Sequence, residues 1–246
     1  SLHDALPICN NKVAISGNCP PDMIKSFLTT DEGKILMFAD YSAVESRILA
    51  YVSGDENFIE VVNAKDIHSE NARKIWNIPP DSPVDPELRR RAKVLSFSIP
   101  YGVSAVGLYN RGIAASVDEA QALLDDFFRK YPKVEKFLKT AIAEALTRGY
   151  TQNPYGRIRW YDIPKRVSEE EIRQALSAAK RQAQNFGIQS TSADITKHAL
   201  VTINEYLLDT GYGNLILTIH DSIIAELNYE TAGEAASMIK KLMENS

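Results

Sequence analysis

Cysteines, long apolar runs and an excess of positive charge are all lacking in this sequence. Its 246 residues contain two cysteines, Cys9 and Cys19. They match no metal-site spacing and are too few for a disulfide framework, so we expect a reducing, cytoplasmic compartment. Because no apolar run approaches the roughly 18 residues of a membrane-spanning helix, we expect a soluble protein without a membrane partner. The net charge of −4 argues weakly against nucleic-acid binding, which would have to use local basic clusters.

The composition permits an ordinary packed protein. Hydrophobic residues make up 44% of the chain, which is enough for one or two domains with a real core. Residues 1–8 (SLHDALPI) resemble a translated sequencing-library adapter, although an ordinary N-terminal tail is the alternative. We therefore exclude these eight residues from reasoning about the fold.

Apolar strands and capped helices predict an α+β fold. Residues 34–39 form an apolar run suited to one buried strand, and residues 215–219 and 223–227 indicate a hairpin. Ser–x–x–Glu capping boxes predict helices that begin at Ser42, Ser116 and Ser168. Pro100 should end the helix that begins near residue 87, and the helix after Ser168 should be interrupted near Gly187. We expect a small antiparallel sheet with a large helical insertion.

Two aspartates follow or join apolar strands. Asp40 comes directly after the predicted strand 34–39, and Asp221 lies at the tip of the predicted hairpin. If the strands are neighbours, the two carboxylates could bind two divalent cations about 3.5–4 Å apart, the arrangement used for in-line phosphoryl transfer. Mg²⁺ suits such oxygen ligands. The alternative is that each aspartate merely begins a turn or helix, which aspartate does well.

Basic and aromatic residues recur at steps of four between residues 89 and 101. Arg89, Lys93, Phe97 and Tyr101 should therefore lie along one stripe of a helix. Two cations followed by two rings suit a nucleotide, with charges for the triphosphate and rings for the base. The alternative is a solvated basic first turn that runs into a buried aromatic patch.

A polar stripe occurs later in the chain at the same spacing. Arg181, Asn185 and Gln189 can donate hydrogen bonds to the purine N3 and pyrimidine O2 acceptors of a minor groove. These acceptors barely distinguish one base pair from another, which suits a protein that must hold every correctly paired sequence. The alternative is a polar helix face exposed to water.

Six segments together resemble family A DNA polymerases, the DNA polymerase I-like family. They occur in family order and cover roughly residue 23 to the end of the chain. They are a motif A (DYSAVESR from Asp40), a DIH segment (66–68), a motif B (89–102), a GRRR-type turn (156–159), the primer-template helix (181–189) and a motif C (217–222).

The resemblance implies a role for each matching residue in template-directed DNA synthesis with two Mg²⁺ ions. Asp40, Asp221 and the Tyr41 backbone carbonyl would hold the metals, and Lys93 would also give a proton to the leaving pyrophosphate. The implied contacts with the incoming deoxynucleoside triphosphate come from Tyr41, Glu45, His68, Arg89, Lys93, Phe97 and Tyr101. Glu45 would be the steric gate against a ribose 2′-hydroxyl. The implied contacts with primer-template DNA come from Arg157, Arg181, Asn185, Gln189 and His220.

The resemblance also implies a domain division. Residues 9–62 would form the first part of the palm, 63–168 the fingers, and 169–246 a second, truncated part of the palm. No thumb or nuclease domain is present, so we expect an internal fragment of a longer protein, a monomer, and weak or no activity by the fragment alone. A non-catalytic, polymerase-derived nucleic-acid binder is the alternative, and a two-metal nuclease of unrelated fold is a third hypothesis that the order of the motifs disfavours.

Three residues depart from the family pattern. Ser222 stands where motif C usually has Glu, and Ala43 replaces the usual motif A Gln, which removes one phosphate contact. Pro100 sits inside motif B and could shorten its helix. These departures suggest a phage-type or otherwise divergent branch, so the host would be a bacterial or phage-infected cell.

Overall fold

The computed structural model describes residues 12–14, 29–164 and 167–246. Cys9, Cys19 and the adapter-like residues 1–8 lie outside the described residues. The chain divides into two compact units: a sheet unit, formed by residues up to Val44 together with 192–246, and a helical unit, formed by 45–191. The predicted α+β class, a small antiparallel sheet with a large helical insertion, is confirmed.

Where the structure describes it, the sheet unit has four antiparallel strands in the order β1-β2-β6-β5. They are β1 (Lys12–Ala14), β2 (Lys34–Asp40), β5 (Gly213–Ile219) and β6 (Ser222–Asn228). Side chains of β2 alternate, so that Ile35, Met37 and Ala39 are buried. Helix α9 (Ala232–Glu244) packs against β2 and β6 with its buried Ala235, Ile239 and Met243. One face of the sheet is thereby covered, which fixes the strand register.

Among the described residues, the helical unit contains helices α1 to α7 and a short hairpin. The helices are α1 (Val44–Ser53, which begins one residue before the unit), α2 (Glu56–Asn63), α3 (Ile67–Trp76), α4 (Pro86–Ser98), α5 (Ala105–Asn110), α6 (Val117–Lys130) and α7 (Pro132–Arg148). Strands β3 (Tyr150–Gln152) and β4 (Ile158–Trp160) pair around the turn at residues 153–156. Helix α8 (Glu169–Thr210) begins in this unit and ends in the sheet unit.

Aromatic packing and one buried polar network hold the helical unit together. The rings of Phe58, Phe127 and Tyr131 lie 4.7–6.0 Å apart by centroid. The Tyr131 hydroxyl donates to Asn71 Oδ1 at 2.6 Å, and Asn71 Nδ2 donates to the Ser96 hydroxyl. Burial raises the pKa of Tyr131. Because each buried polar group has a partner, the network ties α3 and α4 to the end of α6.

Most helix boundaries follow the sequence signals. The Ser116 hydroxyl accepts from the Glu119 backbone N–H at 3.1 Å, and the Ser168 hydroxyl accepts from the Glu171 N–H at 3.3 Å. Helix α4 ends at Ser98, two residues before Pro100, as predicted. Within the described ranges, no helix combines the length and apolar character needed to cross a membrane.

Two predictions about helices were wrong. Helix α8 continues through Gly187 without a break. A Cβ at Gly187 would lie 3.5 Å from Phe137 Cζ, an ordinary van der Waals contact. A glycine inside a helix costs only about 1 kcal/mol relative to alanine, which the rest of this 42-residue helix outweighs. Helix α1 begins at Val44 and not at Ser42, because Ala43 adopts a left-handed φ of 52°. Glu45 therefore occupies the second helical position, and the predicted capping box with Ser42 does not match this start.

Candidate active site

Asp40 and Asp221 lie at the same end of the sheet. Asp40 is the last residue of β2, and its partner across the β2–β6 ladder is Ser222. Asp221 is the residue directly before Ser222, in the two-residue turn that joins β5 and β6. Although 181 positions separate the aspartates in sequence (221 − 40), the register makes them neighbours. Positive φ at His220, 57°, lets the chain turn this tightly.

The backbone after Asp40 is anchored by Tyr41. Its side chain is 2% exposed, and its hydroxyl donates to the Met243 carbonyl of α9 at 3.0 Å. The Ser222 hydroxyl donates to Asp40 Oδ1. Strand pairing, a buried tyrosine and a side-chain hydrogen bond thus all fix the end of β2 that carries Asp40.

The donor set at this end of the sheet fits a hard divalent cation. Two carboxylates and nearby backbone carbonyls supply oxygen ligands only, which Mg²⁺ and similar ions prefer. Among the residues that the structure describes, no three His, Cys, Asp or Glu side chains come together as a metal site. The protein would therefore supply few ligands of its own, as is usual for Mg²⁺ sites that also use substrate phosphates.

Arg89 of α4 is held by Asp66, the residue that caps the N-terminus of α3. Its Nε donates to Asp66 Oδ2 at 2.9 Å and one Nη donates to Oδ1 at 3.1 Å, a bidentate pair. The Arg89 guanidinium lowers the pKa of Asp66 well below its usual range. Asp66 also caps α3 by accepting from the N–H groups of His68 and Ser69. This pair fixes α3 against α4 at the N-terminal end of each helix.

His68, Lys93 and Phe97 form a cluster between α3 and α4. The His68 and Phe97 rings lie 5.8 Å apart, and Lys93 Nζ lies 6.0 Å from the Phe97 centroid. His68 Nδ1 is buried and finds no hydrogen-bond partner among the described residues. Burial, and then the charges of Lys93 and Arg89, lower the pKa of His68. Lys93 brings a positive charge to this cluster, and the lowered pKa of His68 favours its neutral imidazole.

Phe97 and Tyr101, the aromatic residues of the stripe that begins at Arg89, do not belong to a buried core. Phe97 is 36% exposed and Tyr101, in a 3₁₀ turn at Ile99–Tyr101, is 42% exposed. The alternative of a basic turn that runs into a buried aromatic patch is therefore wrong. Two cations and two rings lie along an accessible surface.

Glu45, Tyr101 and Gln189 are joined by hydrogen bonds. The Tyr101 hydroxyl donates to the Glu45 carboxylate, 3.0 and 3.1 Å from its two oxygens, and accepts from Gln189 Nε2 at 3.0 Å. Burial and the Glu45 charge raise the pKa of Tyr101, so its hydroxyl stays protonated. Glu45 is thus held by a tyrosine. Sequence spacing gave no signal for this network, since its three residues lie on separate elements.

The polar stripe on α8 faces a shallow cleft. Asn185 and Gln189 line a cavity of about 290 Å³ together with Arg159 of β4, whose guanidinium donates to Gln182 at 2.9 Å. Arg181 is exposed and donates to the Ser177 hydroxyl at 2.6 Å.

Two further residues of the predicted DNA surface are exposed. Arg157 follows the turn of the β3–β4 hairpin, and its backbone N–H donates to Asn153 Oδ1 at 2.9 Å. His220 is exposed at the β5–β6 turn. In the sheet unit, His220 is next to Asp221, whereas Arg157, Arg181 and Gln189 belong to the helical unit.

Gly102 permits a close approach that the sequence did not predict. Its φ is 66°, and a Cβ there would meet Gln184 Oε1 at 2.3 Å. A side chain at this position would have to displace the Gln184 amide from the end of the 3₁₀ turn.

The architecture matches that of a solved polymerase domain. The POL domain of Pol1 from M. smegmatis, in a complex with DNA primer-template and dNTP, superimposes with a TM-score of 0.78 at 34% identity. The match covers 87% of this chain and 37% of that one. The fold is therefore that of a DNA polymerase domain.

Sequence comparison gives the particular family. The family model for DNA polymerase family A matches residues 12–246. The thermostable DNA polymerase I of Thermus filiformis is 37% identical over 224 residues, which are 91% of this chain and 26% of that protein. The DNA polymerase I of Caldicellulosiruptor bescii is 33% identical over 226 residues, again 91% and 26%. The chain belongs to DNA polymerase family A, and it spans about a quarter of the length of these curated relatives.

Proposed function

We propose that this chain carries the nucleotide-addition centre of a DNA-directed DNA polymerase. The β2–β6 register, which makes Asp221 a neighbour of Asp40, is the observation that carries the proposal. In the reaction the 3′-hydroxyl oxygen of a primer bonds to the α-phosphorus of a deoxynucleoside triphosphate, and the bond to pyrophosphate breaks. The hydroxyl proton passes from the attacking oxygen to solvent water, and the leaving pyrophosphate accepts a proton from Lys93.

Asp40, Asp221 and the Tyr41 backbone carbonyl would hold divalent metal, which family A DNA polymerases generally use. We propose Mg²⁺ because the donors are all oxygen and few in number, and two ions because in-line phosphoryl transfer commonly uses a pair of them. When bound, such ions stabilise charge on the attacking and leaving oxygens. The buried Tyr41 side chain keeps its own carbonyl and the Asp40 carboxylate together at the end of β2.

The stripe on α4 would bind the triphosphate. Lys93 would contribute charge and would donate the proton that the leaving pyrophosphate accepts. Arg89 would contribute charge by exchanging or sharing its bidentate pair with Asp66. His68, which is neutral next to these two cations, would donate a hydrogen bond or take up a proton as the anion binds. The exposed Phe97 and Tyr101 rings would pack around the nascent base pair and the sugar.

Glu45 would select the sugar. Held by the Tyr101 hydroxyl, its carboxylate would fill the space of a ribose 2′-hydroxyl. Primer-template DNA would lie along Arg181, Asn185, Gln189, Arg157 and His220, where donors face minor-groove acceptors and phosphates.

The same proposal divides the chain into palm and fingers. Residues 9–62 and 169–246 would belong to the palm and residues 63–168 to the fingers. The sheet with its two aspartates and the α4 stripe fall in separate compact units, which supports a division in two, but those units divide after Val44 and after Thr191. We further propose a monomer that works in the cytoplasm of a bacterial or phage-infected cell, since the relatives are bacterial DNA polymerases.

Primer extension under single-turnover conditions tests the function. With protein in excess over a labelled primer-template, we expect addition of the one deoxynucleotide that complements the template base, and its loss when EDTA removes divalent metal. Addition that ignores the template base would contradict template direction. Binding of primer-template without any extension would instead support a non-catalytic nucleic-acid-binding role.

A further inference from the structure

Ser222, the first residue of β6, is held in place by the neighbouring strands β2 and β5. It pairs with Asp40 across the β2–β6 ladder and with Ile219 across the β5–β6 ladder. The Thr218 hydroxyl also donates to the Ser222 carbonyl oxygen at 3.1 Å. The Ser222 backbone is therefore fixed on two sides at the turn that carries Asp221.

The Ser222 side chain acts on Asp40. Its hydroxyl donates to Oδ1 of the Asp40 carboxylate, and a hydrogen bond to a charged acceptor is among the stronger ones. A carboxylate has room for further partners after it accepts one hydrogen bond. With Oδ1 engaged by Ser222, the Oδ2 oxygen has a defined direction and can serve as the ligand.

A serine at this position also alters the charge at the end of the sheet. The motif that this segment resembles usually has an acidic residue here, which would add a negative charge and could only accept hydrogen bonds when ionised. Serine is neutral and donates. Serine can therefore hold the Asp40 carboxylate, whereas an ionised acidic side chain at position 222 would repel that carboxylate.

We propose that Ser222 is a positioning residue, which orients the Asp40 carboxylate for divalent metal in place of a third acidic side chain. This proposal rests on the assignment of Asp40 as a metal ligand in the proposed function. Partners that orient a metal ligand typically contribute about 10–100-fold to metal affinity. Removal of the hydroxyl should weaken metal binding by a factor in this range without unfolding the sheet.

Mn²⁺ binding to the 246-residue chain tests the proposal without any turnover. The electron paramagnetic resonance signal of free Mn²⁺ falls as the ion binds, so a titration gives the dissociation constant directly. We expect Ser222→Ala to raise this constant about tenfold or more. Ser222→Thr, which keeps a hydroxyl, should stay close to the unaltered chain. Ser237→Ala is the matched control, because the Ser237 hydroxyl donates to the Gly233 carbonyl within α9.

Asp40→Asn separates the failure of this proposal from the failure of the metal assignment. If Asp40→Asn abolishes Mn²⁺ binding while Ser222→Ala binds as tightly as Ser237→Ala, the role of Ser222 is overturned and the metal assignment stands. If Asp40→Asn binds Mn²⁺ normally, or the unaltered chain binds none, both are overturned. Circular dichroism melting accompanies each titration, and a Ser222→Thr variant that folds but binds weakly also contradicts the proposal.

Discussion

Replacement of Glu45 by alanine should relax the selection against ribonucleotides. The structure holds this carboxylate through the Tyr101 hydroxyl, 3.0 and 3.1 Å from its two oxygens. A filled space, and the hydrogen bond to Tyr101 that the 2′-hydroxyl would have to break, together oppose a ribose. Loss of both should be worth about 2–3 kcal/mol, or roughly 10²-fold in the ratio of ribonucleotide to deoxynucleotide use.

Tyr101→Phe should give a smaller effect in the same direction. It removes the donor that fixes Glu45 but leaves the carboxylate in the protein. A hydrogen bond to a charged group contributes about 1.5–3 kcal/mol, and because Tyr101 is 42% exposed we expect the low end, roughly a tenfold change in the ratio. Glu45→Gln should stay near the unaltered chain, since glutamine keeps the size and can still accept from Tyr101.

Single-nucleotide incorporation under single-turnover conditions measures these ratios. Tyr109→Phe is the matched control, because Tyr109 is an exposed tyrosine of α5 in the same unit. An unchanged ratio in Glu45→Ala, with activity otherwise retained, would refute the reasoning. A loss of activity with equal effects on both sugars would indicate that Glu45 only stabilises the fold.

Three further predictions concern the nucleotide and DNA surfaces. Lys93→Ala should weaken the apparent affinity for the nucleotide about 10–100-fold, whereas Arg181→Ala should weaken the affinity for primer-template. Separate titrations of the nucleotide and of the primer-template test this difference. Identical defects in both variants would contradict it. Phe97→Tyr should favour dideoxynucleotides, because the added hydroxyl could replace the missing 3′-hydroxyl; the ratio of dideoxy- to deoxynucleotide incorporation measures this, and an unchanged ratio would argue against a ring next to the sugar. Burial and two cations lower the pKa of His68, so the imidazole should be neutral at pH 7 and a bound triphosphate should raise its pKa. Nucleotide binding should therefore take up protons and strengthen as the pH falls from about 8 to 6, and NMR titration of the His68 ring with and without nucleotide tests it; no upward shift would remove His68 from the site.

Local signals in the sequence predicted most of the fold. Periodic apolar runs and the serine caps at Ser116 and Ser168 act over a few residues, so they can be read directly from the chain. The start of α1 and the continuity of α8 could not be read in this way. The start of α1 depends on the left-handed backbone of Ala43. The continuity of α8 shows that a glycine inside a long helix, which costs about 1 kcal/mol relative to alanine, does not by itself interrupt it. Strands β3 and β4, three residues each, are too short to show a period.

The candidate site was predictable only as separate motifs. Steps of four along α4 and α8 predicted which residues share a helix face, because helical spacing is regular. Contacts between elements were not predictable from spacing. The hydrogen bond between Tyr101 and Glu45 spans 56 positions of sequence, and the one between Ser222 and Asp40 spans 182. In each case the choice of partner follows from the packing.

The most direct test of the central claim is single-turnover primer extension by Asp40→Asn and Asp221→Asn, with Asp209→Asn as an exposed control at the end of α8. If the two aspartates hold the catalytic metal, each variant should lose extension by about 10³-fold or more, which corresponds to about 4 kcal/mol of transition-state stabilisation. Primer-template binding, followed by fluorescence anisotropy, should change little. Extension by either variant at the rate of Asp209→Asn would contradict the account.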